Sequence, residues 1–359
     1  MKLGHFLLAA ITTVAVPVTT DAHELQKTQL QVELENFREE YDLTSMVVGI
    51  WHKGESKYQE AFGISMPGVP ADLSMKFRAG GICLTSLTAI LLQSVEEGLV
   101  SLDDPINKWI PKLPNADKVT LRMLANCTSG YGDYVPNQDF IDALDKDPFR
   151  YFTPEELIEY GLSKGILYEP GTDWNYSHTT FVMLGIILEQ IHGKTVPQLM
   201  EQRVFAPLHL ADTVYTEGPE LHAPLLHGYT TERGMFEDST FWNPSWTSYS
   251  GSIAAPLNDV ATIIRSIGSA SLISAESLKE MTAPDTIGKG GNTKERYYGM
   301  GIGVSGDWLM QNPNFGGYQG IILYNRVTDV TAVAFVTLGQ KSKPETHHGM
   351  KLLPLLMAE

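Results

Sequence analysis

The chain lacks the short motifs that mark the commonest hydrolases and metal enzymes. Its 359 residues contain no Ser-x-x-Lys and no Gly-x-Ser-x-Gly, the two spacings that present an activated serine to a carbonyl group. They also contain no His-Glu-x-x-His and no Cys-x-x-Cys, and neighbours such as His347-His348 rarely chelate one ion. The sequence therefore predicts no metal site and no cofactor, and it argues against hydrolysis through a serine acyl-enzyme.

Long apolar runs are absent after the N-terminus. Residues 1–22 begin with Met1-Lys2, continue with the apolar run FLLAAITTVAV (6–16) and end with small residues where a signal peptidase reads them. The run is shorter than the roughly 20 residues that a transmembrane helix needs. We therefore predict a cleaved signal peptide over 1–22 and a periplasmic or secreted mature chain, 23–359, without a transmembrane segment.

Cysteine is scarce, with only Cys83 and Cys127 in the chain. An even number of cysteines in an exported protein permits one disulfide, which export favours. Two buried free thiols are the alternative, and the spacing alone leaves both open.

Runs of Lys and Arg are also missing. The net charge of −16 disfavours a nucleic-acid partner, because binding to a phosphate backbone depends on clustered positive charge. With 43% hydrophobic residues, a chain of this length can bury a sizeable core. The expected partner is instead a small-molecule or peptide ligand, and the sequence indicates no oligomeric state.

Hydrophobic periodicity predicts strands at both ends of the chain and helices between them. Strands are predicted over residues 45–52, 58–64, 298–304, 320–326 and 330–338. Helices are predicted over 83–98, from Thr153-Pro154 onward, over 179–191 and over 256–267. We therefore expect an α+β fold, with an antiparallel sheet from 40–75 and 235–345 flanked by helices, and an inserted helical region over 76–234.

Several phrases of the sequence resemble the superfamily of class C β-lactamases, DD-carboxypeptidases and related esterases. Phe77-Arg78 opens the segment where that family carries Phe-Arg-x-Gly-Ser-x-x-Lys. The phrase LANCTSGYGD (124–133) is similar to Leu-Leu-x-His-Thr-Ser-Gly-x-x-Asp, and PGTDWNYS (170–177) is similar to Pro-Gly-x-x-Phe-x-Tyr-Ser. Residues 95–111 and 184–213 also follow the family pattern, in the family's order. The resemblance covers nearly the whole mature chain and implies the β-lactamase/transpeptidase-like fold.

The resemblance breaks at the residues that carry the family's chemistry. Gly81 stands where the family has its nucleophilic serine, and Leu84 where it has the activating lysine. Tyr176 matches the proton-relaying tyrosine, but His178 replaces the asparagine two residues on. Asn314 replaces the lysine or histidine of the final active-site strand. Since glycine cannot be acylated and leucine cannot accept a proton, the resemblance predicts the family's cleft without its acyl-enzyme.

Five positions are predicted to bind a ligand in this cleft: Gly81, Leu84, Asn314, Gly316 and Gly317. The resemblance assigns the amides of Gly81 and Gly317 to an oxyanion hole, which would accept a carbonyl or carboxylate oxygen. Tight packing is the alternative reason for glycine at both places. By the same resemblance the aromatic group over 241–249 borders the cleft, although core packing explains it equally well.

Tyr176 and His178 are candidates for an acid–base pair, because histidine titrates near neutrality and tyrosine donates a proton readily. The alternative is that Tyr176 packs and His178 caps the following helix. Cys83 is a weaker candidate nucleophile, because it lies two residues past the lost serine and should point away from the cleft.

The sequence supports two functional hypotheses. The first is an exported, penicillin-binding-protein-like member of this family that binds peptide, peptidoglycan-like or acylated small-molecule ligands without hydrolysing them. The second is a divergent hydrolase, transferase or isomerase that uses Tyr176 and His178 in the same cleft. Fold alone does not decide between them.

Overall fold

The computed structural model describes residues 22–357, with side chains from residue 29 onward. The predicted signal peptide lies outside the described residues, except for Ala22, which begins the first helix. None of the described helices combines the length and the apolar composition that a membrane crossing requires.

The described strands lie at both ends of the chain and, as short pieces, in its middle. They are β1 (Leu43–His52), β2 (Glu55–Met66), β3 (Val69–Pro70), β4 (Phe77–Arg78), β5 (Val214–Tyr215), β6 (Tyr229–Thr230), β7 (Glu237–Asp238), β8 (Ile253–Ala255), β9 (Arg296–Tyr298), β10 (Gly303–Ser305), β11 (Trp308–Gln311), β12 (Asn314–Phe315), β13 (Tyr318–Asn325) and β14 (Val330–Leu338).

The described helices fill the middle of the chain and both ends. They are α1 (Ala22–Glu40), α2 (Ile82–Glu96), α3 (Leu121–Ala125), α4 (Gln138–Lys146), α5 (Pro154–Leu162), α6 (His178–His192), α7 (Val196–Met200), α8 (Leu257–Gly268), α9 (Ala275–Met281), α10 (His348–Lys351) and α11 (Leu353–Leu356). A π-helical turn, Glu201–Phe205, and the 3-10 turns Ile106–Lys108, Pro244–Trp246 and Ser248–Ser250 complete the set.

The main sheet joins the two ends of the chain. Its strand order is β3-β2-β1-β14-β13-β11-β10-β9, with β12 paired beside β13. Strand β1 pairs antiparallel with both β2 and β14, so that Val48 lies opposite Glu60 on one side and Ala334 on the other. The predicted α+β class, with an antiparallel sheet and flanking helices, is confirmed.

Alternate residues of β1 face two different cores. Val47 belongs to the larger core, which the sheet shares with α2, α6 and α8. Met46 and Val48 belong to a second core, where α1 and the C-terminal helices cover the opposite face through residues such as Leu34 and Leu352. Side chains of a strand alternate between faces, so both faces of this central strand are buried.

Helix α2 lies inside the larger core and positions the start of the candidate site. Twelve of its residues are buried, and its sequence ICLTSLTAILLQSVE carries no charge before Glu96. A helix that is apolar on all sides is buried on all sides. The first turn of α2 is therefore fixed by packing rather than by a capping side chain, since Gly81 supplies none.

Several predicted boundaries differ from the structure. The C-terminal strands of the main sheet begin at Arg296 rather than near 235, because residues 235–295 hold α8, α9 and two short strands of minor sheets. The region 76–234 also contributes short strands beside its helices. The predicted strand 298–304 is split into β9 and β10, since Gly301 between them has a φ of +62° and packs closely against Thr88.

Candidate functional site

A cavity of about 590 Å³ opens where the start of α2 meets the main sheet. Its walls come from residues 80–84, the segment 174–178, strands β9 to β12 and the turn before α10. The predicted site residues Gly81, Leu84, Tyr176, His178 and Asn314 all line this cavity. The structure thus brings together residues that are more than 230 positions apart in the chain.

Gly81 precedes the first residue of α2 and presents only backbone to the cavity. Its φ and ψ of −55° and −16° are ordinary helical values, so no conformational strain demands glycine here. A Cβ at this position would lie 2.7 Å from Oε1 of Gln311. The space beside the helix start is therefore already occupied by the side chain of Gln311.

The serine and threonine hydroxyls described next, near the start of α2, each donate a hydrogen bond to a backbone carbonyl. Thr85 donates to the carbonyl of Gly301 at 2.8 Å, and Ser86 donates to that of Ile82 at 2.9 Å. Ser250, which lines the cavity, donates to the carbonyl of Thr247. None of these hydroxyls is hydrogen-bonded to a histidine, lysine or carboxylate in the part of the chain that the structure describes.

The two cysteines are buried free thiols, so the disulfide that export favoured is not present. Cys83 donates to the carbonyl of Tyr249 at 3.2 Å, away from the cavity lining. Burial raises the pKa of the Cys83 thiol to about 12 and that of Cys127 to about 12. A buried thiol that stays protonated is a poor nucleophile, and Cys83 is therefore a poor candidate for that role.

Tyr176 packs against two other rings of the cavity wall. Its ring meets those of His178 and Tyr298 edge to face, with centroids 4.9 Å and 5.6 Å apart. Burial, reinforced by Cys127 and Asp133, raises the pKa of Tyr176 well above its usual range. Its hydroxyl has no protein partner among the described residues and is accessible from the cavity. At neutral pH it is therefore a hydrogen-bond donor rather than a base.

His178 is held by Asp133, a residue that the sequence analysis did not single out. The Asp133 carboxylate lies 3.1 Å from Nδ1 of His178 and also accepts a hydrogen bond from its backbone N–H, at 3.1 Å. This contact fixes the proton on Nδ1 when the ring is neutral and leaves Nε2 open to the cavity. In the sequence, Asp133 is only the last residue of the motif TSGYGD, and no sequence signal indicates that it contacts His178.

The glycines at 316 and 317 form the turn of a tight hairpin between β12 and β13. Phe315 pairs with Tyr318 across this turn, and both glycines have positive φ values, +43° and +87°. A Cβ at Gly317 would meet the carbonyl of Tyr229 at 2.2 Å, so close backbone packing requires glycine there. Neither glycine is part of the cavity lining, and their role in ligand binding stays a prediction.

Phe315 closes one end of the cavity by stacking. Its ring stacks on that of Trp246, with centroids 5.0 Å apart and an angle of 22° between the planes. Cζ of the Arg78 guanidinium lies 5.7 Å from the centroid of the Phe315 ring. Arg78 itself is buried and donates to the carbonyls of Thr240 and Trp242 at 3.1 and 3.2 Å. Trp246, from the aromatic group over 241–249, thus lines the cavity as the resemblance implied.

The charge of the lining is positive, although the whole chain carries −16. Arg296 is the only Lys or Arg among the described lining residues, and no Asp or Glu lines the cavity there. The Arg296 side chain forms no ion pair within the described chain and stands at the exposed mouth. Groups of three or more His, Cys, Asp or Glu side chains that could hold a metal ion are absent from the described residues.

Comparison with known proteins shows what this chain is similar to. The Beta-lactamase family model matches residues 30–353. Penicillin-binding protein 4* of Bacillus subtilis is 26% identical over 57% of this chain and 46% of its own length. The D-alanyl-D-alanine-carboxypeptidase/endopeptidase AmpH of Escherichia coli is 28% identical over 46% of this chain and 44% of its own length. The chain thus spans about half the length of these curated relatives.

The fold matches solved structures over almost its whole length. The D-stereospecific amidohydrolase from Streptomyces superposes with a TM-score of 0.78, at 22% identity, over 92% of this chain and 98% of that protein. At this level of identity the likeness shows the fold alone. The β-lactamase/transpeptidase-like fold and the superfamily resemblance are both confirmed.

Proposed function

Because the chain belongs to the Beta-lactamase family but has Gly81 immediately before α2, we propose that it binds acylated small molecules or short peptides without forming an acyl-enzyme. The observation that carries this proposal is the contact between Gly81 and Gln311. The space beside the helix start holds an amide side chain and no hydroxyl, and Leu84 lies one turn further along the same helix. The amide oxygen of Gln311 is not a nucleophile toward an ester or a lactam. A ligand therefore binds and dissociates without being acylated onto the protein.

The lining indicates which ligands fit. Six aromatic residues contribute to the wall: Trp174, Tyr176, Trp246, Tyr297, Tyr298 and Phe315. Such a wall favours an apolar or aromatic group, while Arg296 at the mouth favours a carboxylate. An N-acylated amino acid or short acyl peptide carries both groups, and its size suits a cavity of about 590 Å³. Peptidoglycan-like fragments belong to this class, and an exported protein would meet them outside the cytoplasm.

The absence of acylation is tested by intact-mass measurement. The purified protein is incubated with benzylpenicillin, p-nitrophenyl acetate and a fluorophosphonate, and no mass adduct is expected with any of them. An adduct would overturn the proposal, and its position would identify the nucleophile.

Reversible binding is tested by calorimetry with phenylacetylglycine. We expect measurable binding that weakens roughly tenfold in Arg296→Gln, because one charge-assisted hydrogen bond is lost. Lys294→Gln is the matched control, since Lys294 is an exposed cation of the same segment outside the cavity lining. Equal loss in both variants would reduce the effect to general charge and would remove Arg296 from the site.

A second candidate function is favoured by the Asp133–His178 contact. With Nδ1 held by Asp133, Nε2 of His178 can take a proton from a water molecule in the cavity while that water oxygen adds to an ester carbonyl. The same proton then passes from the imidazolium to the departing alkoxide, which leaves as the alcohol. The chain would then be a hydrolase without a covalent intermediate, with Tyr176 donating to the carbonyl oxygen.

Turnover in the absence of any adduct would distinguish this candidate. The rate of p-nitrophenyl acetate hydrolysis should then fall about a hundredfold in His178→Asn, which removes the general base. The rate should also fall in Tyr176→Phe, which removes the hydrogen-bond donor to the carbonyl oxygen. Turnover that both variants leave unchanged would exclude the pair from catalysis.

A further inference from the structure

The side chain of Gln311 is held in a single orientation by its neighbours. Its Nε2 lies 2.9 Å from Oγ1 of Thr85 and 2.7 Å from the carbonyl oxygen of Gly301. The Thr85 hydroxyl already donates its own proton to that same carbonyl, at 2.8 Å, and so it can only accept from Gln311. Both neighbours are acceptors, which places the NH₂ group against them and turns Oε1 the other way.

The oxygen Oε1 is left facing the cavity. It accepts no hydrogen bond from any side chain or backbone N–H in the described part of the chain, and it is accessible although the residue as a whole is only 6% exposed. It points to the start of α2, at the place where a Cβ of Gly81 would lie 2.7 Å away. An acceptor without a protein partner, in a side chain that is otherwise buried, is stabilised by a ligand that brings a donor.

We infer that Oε1 of Gln311 is a fixed acceptor subsite that binds an N–H group of the ligand. This subsite rests on the proposed function. It requires a different ligand group beside Gly81 from the one that a nucleophilic side chain would require. A nucleophilic oxygen needs a carbonyl carbon beside Gly81, whereas an amide oxygen needs a donor there. The ligand therefore presents an amide N–H to Gln311.

A matched pair of ligands tests the subsite. Phenylacetylglycine and phenylacetylsarcosine share the ring, the carbonyl and the carboxylate, and differ in that the second has N–CH₃ in place of N–H. We expect calorimetry to show that the wild-type chain binds phenylacetylglycine at least about tenfold more tightly, as one well-formed buried hydrogen bond provides.

Two variants locate the preference at Gln311. Gln311→Met keeps a side chain of similar length but removes the acceptor, and Gly81→Ala adds a Cβ that displaces Oε1 from its place. Both should bring the ratio of the two affinities close to one. Thr88→Val is the control, because it also loses a buried hydrogen bond on α2, to the carbonyl of Leu84, but it leaves the cavity lining unchanged.

The outcomes separate the subsite from the proposed function. If the wild type binds both ligands equally, or if Gln311→Met keeps the preference, the acceptor subsite is wrong while reversible binding stands. If the wild type binds neither ligand, the proposed function fails and the subsite fails with it. A preference that is lost in Gln311→Met and Gly81→Ala but kept in Thr88→Val supports the inference.

Discussion

The carboxylate of Asp133 holds both the imidazole and the backbone N–H of His178, with contacts of 3.1 Å to each. The carboxylate therefore caps the start of α6 and orients the ring that faces the cavity at the same time. Ser177, the residue before the helix, provides no side-chain cap of its own. The loop of residues 131–134 is also joined to the start of α6 by the Ser177 hydroxyl, which donates to the carbonyl of Gly132 at 2.9 Å, and by the Thr179 hydroxyl, which accepts from the backbone N–H of Tyr134 at 3.2 Å.

Removal of this carboxylate should destabilise the fold measurably. We expect Asp133→Ala to lower the free energy of unfolding by about 1–3 kcal/mol, because a part-buried N–H at a helix start loses its acceptor. Urea unfolding followed by circular dichroism measures the change. Glu159→Ala, an exposed carboxylate on α5 without a hydrogen bond in the described chain, should change the stability by less than about 0.5 kcal/mol. Equal effects would argue against the capping role.

The two cysteine thiols should react with an alkylating reagent only after the protein is unfolded. In the native protein we expect almost no reaction of Cys83 or Cys127 with iodoacetamide at pH 8, because both are buried and burial raises the pKa of each thiol to about 12. In guanidinium chloride without reductant, both thiols should react at once. Two unreactive sulfurs under those conditions would indicate a disulfide and contradict the free thiols.

Restoring the family's chemistry should require three substitutions rather than two. Gly81→Ser with Leu84→Lys supplies the nucleophile and its base, but the new Cβ would lie 2.7 Å from Oε1 of Gln311. The triple variant adds Gln311→Ala to these two substitutions. We expect benzylpenicillin to acylate it roughly tenfold faster than the double variant, because the Gln311 side chain no longer presses on the new serine and displaces it from a favourable rotamer. Intact-mass measurement over time gives both rates. Equal rates in the two variants would show that Gln311 moves aside without cost.

Alkaline pH should destabilise the protein through its buried tyrosines. Burial raises the pKa of Tyr176 and Tyr298 well above the ordinary value near 10. Below that pH both states keep the proton and these groups add no pH dependence. Above it the unfolded chain loses protons that the native chain retains, so stability falls by about 1.4 kcal/mol per pH unit for each such tyrosine. Tyr176→Phe should reduce this slope by one such increment between pH 10 and 11, measured by urea unfolding. An unchanged slope would show that the Tyr176 hydroxyl titrates normally.

Local sequence signals predicted the regular elements well where they were strong. The helix expected over 83–98 is α2, Ile82–Glu96, and the capping signal at Thr153 and Glu156 begins α5 with both expected hydrogen bonds. Strand β11 was not predicted, because it has only four residues and its sequence, WLMQ, does not alternate between apolar and polar side chains. A short strand gains its hydrogen bonds from β10 and β13, which the sequence pattern does not show.

The candidate site was predicted in part. Gly81, Leu84, Tyr176, His178 and Asn314 were found through the family's motifs and do line one cavity. Asp133 and Gln311 were missed as site residues because each contacts residues that are distant in the chain, and Arg296 was missed because no motif marks it. Gly316 and Gly317 were found by motif position, but their place outside the lining depends on the hairpin turn that they form.

The sequence by itself determined the family and the buried central helix, because these depend on which residues occur and on their local spacing. The tertiary structure decided which side chain lies beside Gly81, the state of the two cysteines and the partner of His178. Those outcomes depend on contacts between segments that folding brings together, and a side chain such as Gln311 has no defined neighbour until the sheet has formed.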